Sequence, residues 1–419
     1  MASQPPFEAN LPVLVVGGGL AGLAAGWAAA RAGYGVELLE QAPVFSEVGA
    51  GIQLGPNAVR VLADWGLWPA VQQAAAFPEQ LNVRDAHNGR TLGTLPLGAR
   101  AVNLYGHPYA TVHRADLHTV LLNAVQAQGG VRCHLGERLA GWQQLGSGLA
   151  QSAPPAGVLL HSDSGKSWRG AALLGCDGVW SRVRQGLLND GPAGFTGHLA
   201  YRGWVPMADL PPSLRAMQVT AWLGPRMHAV HYPVRAGEFM NVVVVVQGEA
   251  PSNLADWDHA ATATELRRAL GPVAADFEHV LQAVAHWRLW PLNDREPMQG
   301  PHQHARGNVA LLGDAAHPLR PYLAQGAAMA LEDAWTLGRV LPRYDAFAAT
   351  DWPNLLQHWA QLRWQRNAWV QARSRRNGQI FHAQGWSRWG RDLVMSALGE
   401  RVMDQPYLYK GPPLPAQLG

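Results

Sequence analysis

Residues 11–40 read LPVLVVGGGLAGLAAGWAAARAGYGVELLE. A branched apolar run stops at three glycines, an alanine-rich stretch follows, and a second apolar run ends on Glu40. This alternation predicts strand, tight turn, helix and strand, a βαβ unit on a parallel sheet. Gly17, Gly19 and Gly22 satisfy G-x-G-x-x-G within it. The first permits the tight turn, the second lets backbone approach a pyrophosphate, and the third lets helix and strand pack closely. The first amides of the helix face the same point, which suits an anion. Glu40 lies 18 residues beyond Gly22, where a carboxylate can accept hydrogen bonds from ribose hydroxyls. A ligand-free packing turn would account for the glycines but leaves the acid at the strand end without a purpose.

Two later stretches repeat this logic. AALLGCDGVWSRVR at 171–184 combines an apolar strand, an Asp177-Gly178 turn and a short helix carrying Ser181, Arg182 and Arg184. NVALLGDAAHPLRPYLAQG at 308–326 places Gly313 and Asp314 at another strand end. Pro318 and Pro321 keep that stretch from turning helical early. A helix is therefore expected to start near Gly326, leaving a second positive terminus of free amides. Ligands of open α/β sheets lie beyond the carboxyl ends of the strands, so Asp177 and Asp314 are both candidates for cofactor contact. Read singly, either aspartate is equally a turn former or a helix cap. Together the three turns point to one long cofactor held at both ends.

The chain has 419 residues, 48% hydrophobic and 15% charged, with a formal net charge of +3. At ~100–200 residues per domain this length implies two domains with a sizeable core. The charge is too small to signal nucleic acid. Lys166 and Lys410 are the only lysines, and Cys133 and Cys176 the only cysteines. Schiff-base chemistry, a disulfide framework and structural zinc are disfavoured, and no metal is signalled. The opening MASQPPFEAN lacks the basic start of a secretory signal. The uncharged stretch 11–30 is broken by its glycines rather than continuing as a membrane span. A soluble, cytoplasmic protein without stable membrane insertion is expected.

Further along, GPNAVRVLADWGL (55–67) and HRADLHTVLLNAVQAQGG (113–130) have helical spacing, and Asn88-Gly89 sits between two strand-like runs as a hairpin turn. Residues 195–247 are β-rich with no helical pattern between the strands, which predicts a mixed or antiparallel sheet on a second domain. The return to an apolar strand at 308 makes the nucleotide-binding domain discontinuous. The expected division assigns 1–78, 104–185 and 286–343 to that domain. It gives 79–103 and 186–285 to a β-rich substrate domain and 344–419 to a C-terminal helical segment. The fold class is α/β, Rossmann-like, with an interleaved β-sheet domain.

The order of these motifs resembles the single-component flavoprotein aromatic hydroxylases of the para-hydroxybenzoate-hydroxylase-like type, especially the salicylate hydroxylase and 3-hydroxybenzoate 6-hydroxylase branch. The matching stretches are VVGGGLAGLAAGWAAARAG with Glu40, GAGIQLGPNAVRVL, HRADLHTVLL, GCDGVWSRVR and GDAAHPLRPYLAQGAAMALEDA, with a weaker RNGQIFH at 376–382. The resemblance implies FAD as cofactor, with NAD(P)H and O2 as co-substrates. It implies that Gly17, Gly19, Gly22 and Glu40 bind the ADP half and that Arg114 supports the cofactor. Asp177 belongs to a motif contacting both FAD and NAD(P)H. Gly313 and Asp314 grip the ribityl and pyrophosphate region, and the helix opening at Gly326 faces the ring. By family chemistry, NAD(P)H reduces FAD, oxygen adds to give a flavin hydroperoxide, and a phenolate attacks its distal oxygen away from water.

MHAVHYPV at 227–234 is the candidate for the proton step. On a strand, His228 and Tyr232 share one face and His231 takes the other. His228, with an ordinary pKa of ~6.5, is the candidate general base and Tyr232 a relay, which also resembles the branch's active-site pair. The alternative is that both only pack on a sheet. Arg320 is a candidate for a bidentate bond to a substrate carboxylate, or else a solvated loop arginine, and His317 is expected to support its loop. Residues 361–401 hold eight arginines and two acids, with Trp364, Trp369, Trp386 and Trp389 interleaved. A solvated arginine face on a helix packed by tryptophan is expected there, with nucleic acid or a membrane surface as alternatives. A homodimer is compatible with the pattern. The implied activity is hydroxylation of a small phenolic or hydroxy-heteroaromatic substrate. Two other readings stay open: a hydroxylase of a membrane-associated quinone-precursor lipid, and a non-catalytic flavin-binding redox module.

Overall fold

The computed structural model describes residues 11–45, 50–146, 157–250, 259–344 and 350–413. The expectation about the first ten residues lies outside them. Val13–Val16, Leu20–Arg31 and Val36–Glu40 form the expected strand, helix and strand. Val13–Val16 pairs in parallel with Val36–Glu40 on one side and with Ala172–Gly175 on the other. Val131–Leu135 extends one edge of this sheet and Val309–Leu311 the other, both parallel, with Ala305–Arg306 closing it antiparallel. The strands ending at Val16, Gly175 and Leu311 are therefore neighbours, although they are far apart in sequence. All three glycine turns leave the same edge of one sheet.

An eight-stranded sheet forms the second layer, in the order 259–261, 287–294, 194–206, 239–247, 227–234, 218–224, 80–85, 91–96. It is mixed, since 80–85 runs parallel to 218–224. The Asn88-Gly89 hairpin forms as expected, with Gly89 in the left-handed region at φ 74°. Phe239–Gln247 is buried from its second residue to its eighth, as a strand covered on both faces must be. Its valines alternate. Val242, Val244 and Val246 pack with Trp222 and Phe277 on one side, while Val243 and Val245 pack with Tyr322 on the other. Each buried valine contributes about 1.5 kcal/mol or more by leaving water. The second face is the one that meets the cofactor-binding half.

One expected boundary is wrong. Residues from 286 were assigned to the nucleotide-binding domain, but Trp287–Asp294 pairs antiparallel with Gly194–Pro206 in the large sheet. Its alternating WRLWPLND pattern finds a partner there before the chain crosses back at 301–311. The C-terminal part is helical as expected: Gly326–Val340, Trp352–Phe381, Gly385–Leu398, and two short turns at Glu400–Met403 and Pro406–Tyr409. Among the described residues no helix is long and apolar enough to cross a membrane. Both cysteines are free.

Candidate active site

The first turn is built by the absence of side chains. A Cβ on Gly22 would sit 1.8 Å from the Gly17 carbonyl oxygen, and one on Gly17 would sit 2.4 Å from that of Cys176, so no other residue fits either place. Gly19 is different: a Cβ there meets only the Arg114 guanidinium, at 3.9 Å. Gly326, at the start of its helix, has nothing within 4 Å. These two glycines face a cleft rather than protein. Glu40 accepts from Gly18 N–H at 2.6 Å and from Ala42 N–H at 2.7 Å, which aims it along the glycine loop.

Asp314 follows the strand Val309–Leu311 in the third turn, at the same edge of the sheet. It is reachable by solvent yet densely surrounded by protein, and that enclosure pushes its carboxyl above the ordinary range while Arg114 opposes the shift. Gly313 takes φ +58°, and its N–H donates to Asp333 at 3.0 Å. A cleft lined by open glycine backbone, one enclosed acid and one arginine fits a dinucleotide bearing phosphates and polyol hydroxyls. FAD would be held here by Gly17, Gly19, Glu40, Arg114, Gly313 and Asp314, with the Gly326 helix terminus at its other end.

Asp177 stands beside the first turn, its Cα 3.1 Å from where a Cβ on Gly17 would sit. Its Oδ1 accepts from Ser181 Oγ at 2.5 Å, and its Oδ2 accepts from the N–H groups of Arg182 at 2.8 Å and Val183 at 3.1 Å. Both oxygens thus cap the helix Arg182–Leu188. The cap steadies the backbone against Gly17, and the partly exposed carboxylate keeps lone pairs for the expected cofactor contact as well.

A cavity of about 670 Å³ lies where the cofactor turn meets the large sheet. Its floor is the sheet face of Leu81, Val83, Val219, His228 and Val230; Pro321 to Ala324 of the cofactor turn form one wall. The opposite wall is the C-terminal helices, through residues such as Arg373, Asn377, Phe381, Arg391 and Tyr409. Tyr322 belongs to the cofactor turn and is buried, with its hydroxyl unpartnered. Burial raises that hydroxyl well above the ordinary phenol range. Gly378 makes room for it, since a Cβ at 378 would come within 2.5 Å of the Tyr322 ring.

The strand reading of MHAVHYPV holds, and His231 turns away to stack on Trp222 with ring centroids 6.2 Å apart. His228 and Tyr232 lie on one face but do not act as a pair. His228 lines the cavity, and its Nδ1 is 2.7 Å from His382 Nε2. Burial, reinforced by His382 and His198, holds His228 well below the ordinary imidazole range. Tyr232 instead bonds Gln53, whose Oε1 accepts from Tyr109 Oη at 2.6 Å. Tyr109 lines the cavity, so Tyr232 reaches it only through Gln53.

Arg320 does not reach the cavity. Its Nε donates to Asp294 at 2.7 Å, within a cluster that also holds Arg375. Pro321 turns the chain so that Tyr322, not Arg320, faces inward. Sequence reading missed Arg373, whose Nε is buried without a partner at the cavity wall. It also missed Arg202, which lies 3.5 Å over the Trp290 ring and is lowered by burial to about 9. Neither sits in a motif, and only the fold brings Arg373 to the cavity wall.

The expected solvated arginine face packed by tryptophan is inverted. Trp386 and Trp389 are 88% and 64% exposed, while Arg363 and Arg366 are buried against Glu332 and Asp333. The adjacent acids of AAMALEDAW require buried cations, and the long helix supplies them. Asp333 also accepts from His317 Nε2 at 2.6 Å, which supports the cofactor turn as expected of His317. Glu332 also accepts from Asn57, and Arg366 donates to the carbonyls of Tyr407 and Leu408. One charge network therefore braces both the cofactor turn and the far wall of the cavity. Among the described residues no group of three or more acids, histidines or cysteines is placed to hold a metal ion.

Comparison with known proteins agrees with this geometry. The family described as "FAD binding domain" matches residues 10–346. The 3-hydroxybenzoate 6-hydroxylase of Polaromonas naphthalenivorans is 37% identical over 397 residues, covering 94% of each chain. The 6-hydroxynicotinate 3-monooxygenase of Bordetella bronchiseptica is 33% identical over 336 residues, 78% of this chain and 82% of that one. Among solved structures, Klebsiella pneumoniae HpxO complexed with FAD and uric acid superposes with a TM-score of 0.80 at 22% identity, covering 96% and 97% of the two chains. A salicylate hydroxylase substrate complex gives 0.76 at 24% identity, covering 97% and 100%. At those identities the two structures share the fold.

Proposed function

The chain belongs to the FAD-dependent aromatic-ring monooxygenases, and on that premise we propose that it hydroxylates a small phenol or hydroxy-heteroaromatic ring bearing a carboxylate, using NAD(P)H and O2. The observation that carries the reading is the cavity itself, which joins a neutral buried histidine, an unpartnered arginine nitrogen and the cofactor turn. Its volume suits a single-ring ligand with room for adjustment. Relatives named for hydroxybenzoate and hydroxynicotinate support an acidic ring substrate.

The roles follow from the positions. FAD, when bound, supplies the two-electron chemistry that activates O2 for transfer of one oxygen atom to the ring. Arg373 holds the carboxylate through a charge-assisted bond. His228 accepts the phenol proton and makes the ring electron-rich. Leu81, Val83, Val219 and Val230 keep water from the reacting face, which protects a reactive oxygen donor. Tyr322 offers its hydroxyl from the cofactor side.

FAD-loaded protein is to be assayed with 3-hydroxybenzoate, 6-hydroxynicotinate, salicylate and their analogues lacking the carboxylate. Ring acids are expected to accelerate NAD(P)H oxidation and to give a hydroxylated product matching the NAD(P)H consumed. Equal turnover of the uncharged analogues would remove the carboxylate from the proposal. No acceleration by any ring compound would remove the hydroxylase reading.

A further inference from the structure

Three histidines from separate parts of the chain meet end to end beside the cavity. His228 Nδ1 lies 2.7 Å from His382 Nε2, and His382 Nδ1 lies 3.1 Å from His198 Nε2. His228 is on the strand Met227–Val234, His198 on Gly194–Pro206, and His382 ends the long helix Trp352–Phe381. His228 and His382 are buried, while His198 is half-exposed. The rings run in series rather than converging on a point, so they make a chain and not a metal site. Every link joins an Nδ1 to an Nε2. One tautomer, with the proton on Nδ1, satisfies both links at once and leaves His228 Nε2 as a free acceptor on the cavity-lining residue.

We propose that His228, His382 and His198 form a proton relay that carries the substrate's phenol proton from the cavity to solvent, with His382 and His198 as its unassigned members. It rests on the phenol hydroxylase reading. The phenol O–H bond breaks as His228 Nε2–H forms. His228 then passes its Nδ1 proton to His382 Nε2, and His382 passes its own Nδ1 proton to His198 Nε2. His198 Nδ1 is covered, so its proton leaves as the half-exposed ring turns it outward. One proton enters and one leaves. His228 is left with an N–H pointing at the phenolate oxygen, where it stabilises that anion. When the product oxygen takes this proton back, His382 and His198 return their Nε2 protons along the chain and His198 Nδ1 takes one proton from solvent, so the three rings regain their first tautomer.

The surroundings suit transfer rather than storage. Arg391 faces His382, and Arg320, paired with Asp294, faces His198; Tyr322 and Phe381 pack against His228. Burial, then His198 and Arg391, hold His382 down to about 3; burial and Arg320 lower His198, and burial with the two neighbouring rings lowers His228. A proton therefore does not rest on any ring near neutral pH.

The test uses FAD-loaded wild type, His382→Phe and His198→Phe with the phenol that wild type hydroxylates fastest. Stopped-flow mixing with a pH indicator reads proton release on binding, and rapid quench reads hydroxylation. Proton release in wild type is expected to follow binding without delay. In His382→Phe both release and hydroxylation are expected to slow by about 100-fold, the low end of what acid–base catalysis supplies. His198→Phe, at the half-exposed end and less of a risk to folding, is expected to slow both by about 10-fold. FAD affinity and the phenol's Kd should change by less than about 3-fold, which separates a relay from a packing role. Solvent deuterium should slow the variants more than wild type. Unchanged proton release and hydroxylation in both variants, with wild type active, would overturn the relay. A wild type that hydroxylates no phenol would instead overturn the functional reading beneath it.

Discussion

Lowering the pH from about 6.5 to about 5.5 is expected to destabilise this protein by about 3 kcal/mol through three histidines alone. His231, His304 and His382 are all buried. Burial is the largest cause in each, holding His231 down to about 4 and His304 and His382 to about 3. In the unfolded chain a histidine titrates near ~6.5. Below that value the unfolded chain binds protons that the folded rings refuse, so stability is full above it and falls as the pH drops. Each ring contributes RT ln(11/2), about 1 kcal/mol, over that unit of pH. The paired carboxylates have ordinary pKa values of ~4 and respond mainly below this window. Against a typical stability of about 5–15 kcal/mol the loss is large. Urea unfolding followed by tryptophan fluorescence with excess FAD measures it. His304→Phe isolates one ring, because both ring nitrogens of His304 are buried without partners and lose no bond. That variant should recover roughly 1 kcal/mol of the pH sensitivity. A wild-type stability that is flat from neutral pH to about 5.5 would refute the reasoning, since it would mean that the folded rings do take up protons.

Three substitutions probe the site itself. Asp314→Ala removes the enclosed acid of the cleft and should weaken FAD binding by about 10- to 100-fold, read by fluorescence titration, with little change in the unfolding midpoint of the FAD-free protein. Arg373→Met should raise KM for carboxylated ring substrates by about 10- to 100-fold and leave their uncharged analogues unaffected, as the loss of one charge-assisted bond predicts. Gly378→Leu forces a side chain into the Tyr322 ring and should cost about 1–3 kcal/mol of stability. It should also make NAD(P)H oxidation outrun product formation, because Tyr322 and the turn around it help to close the cavity.

What could be read from the sequence was whatever a few adjacent residues decide. Gly22 was legible because its clash partner Gly17 lies in the same turn, whereas Gly17 was marked by the glycine spacing alone, its own clash partner Cys176 being far along the chain. The start of the helix at Gly326 was legible because Pro318 and Pro321 forbid an earlier one. The alternation placing His228 and Tyr232 on one face needed only strand periodicity. Their partners were not legible: His382 is 154 residues from His228, and nothing in RNGQIFH announces that it closes on a β-strand. Asp177 was ambiguous because a helix cap and a cofactor ligand use the same residue at the same strand end; the bonds from Ser181 and two amides show the cap. Arg320 and Arg373 look alike in sequence. Only the turn at Pro321 and the tilt of the long helix settle which one faces the cavity. The acids at 332 and 333 draw Arg363 and Arg366 of the long helix inward, while Trp386 and Trp389 stand exposed on the separate helix Gly385–Leu398.

The pinning of Tyr407 and Leu408 by Arg366 has a consequence for how the molecule is made. A ribosome releases the glycine turns and both sheets first, and the helical wall from Arg373 to Tyr409 emerges after them. A nascent chain can thus grip its nucleotide while the chamber beside it still stands open on one side. The chamber shuts only when the last helical turn docks onto a guanidinium already anchored beneath the cofactor turn. Capacity to hold the flavin and capacity to shelter a substrate should consequently arise in sequence during synthesis, with the first preceding the second.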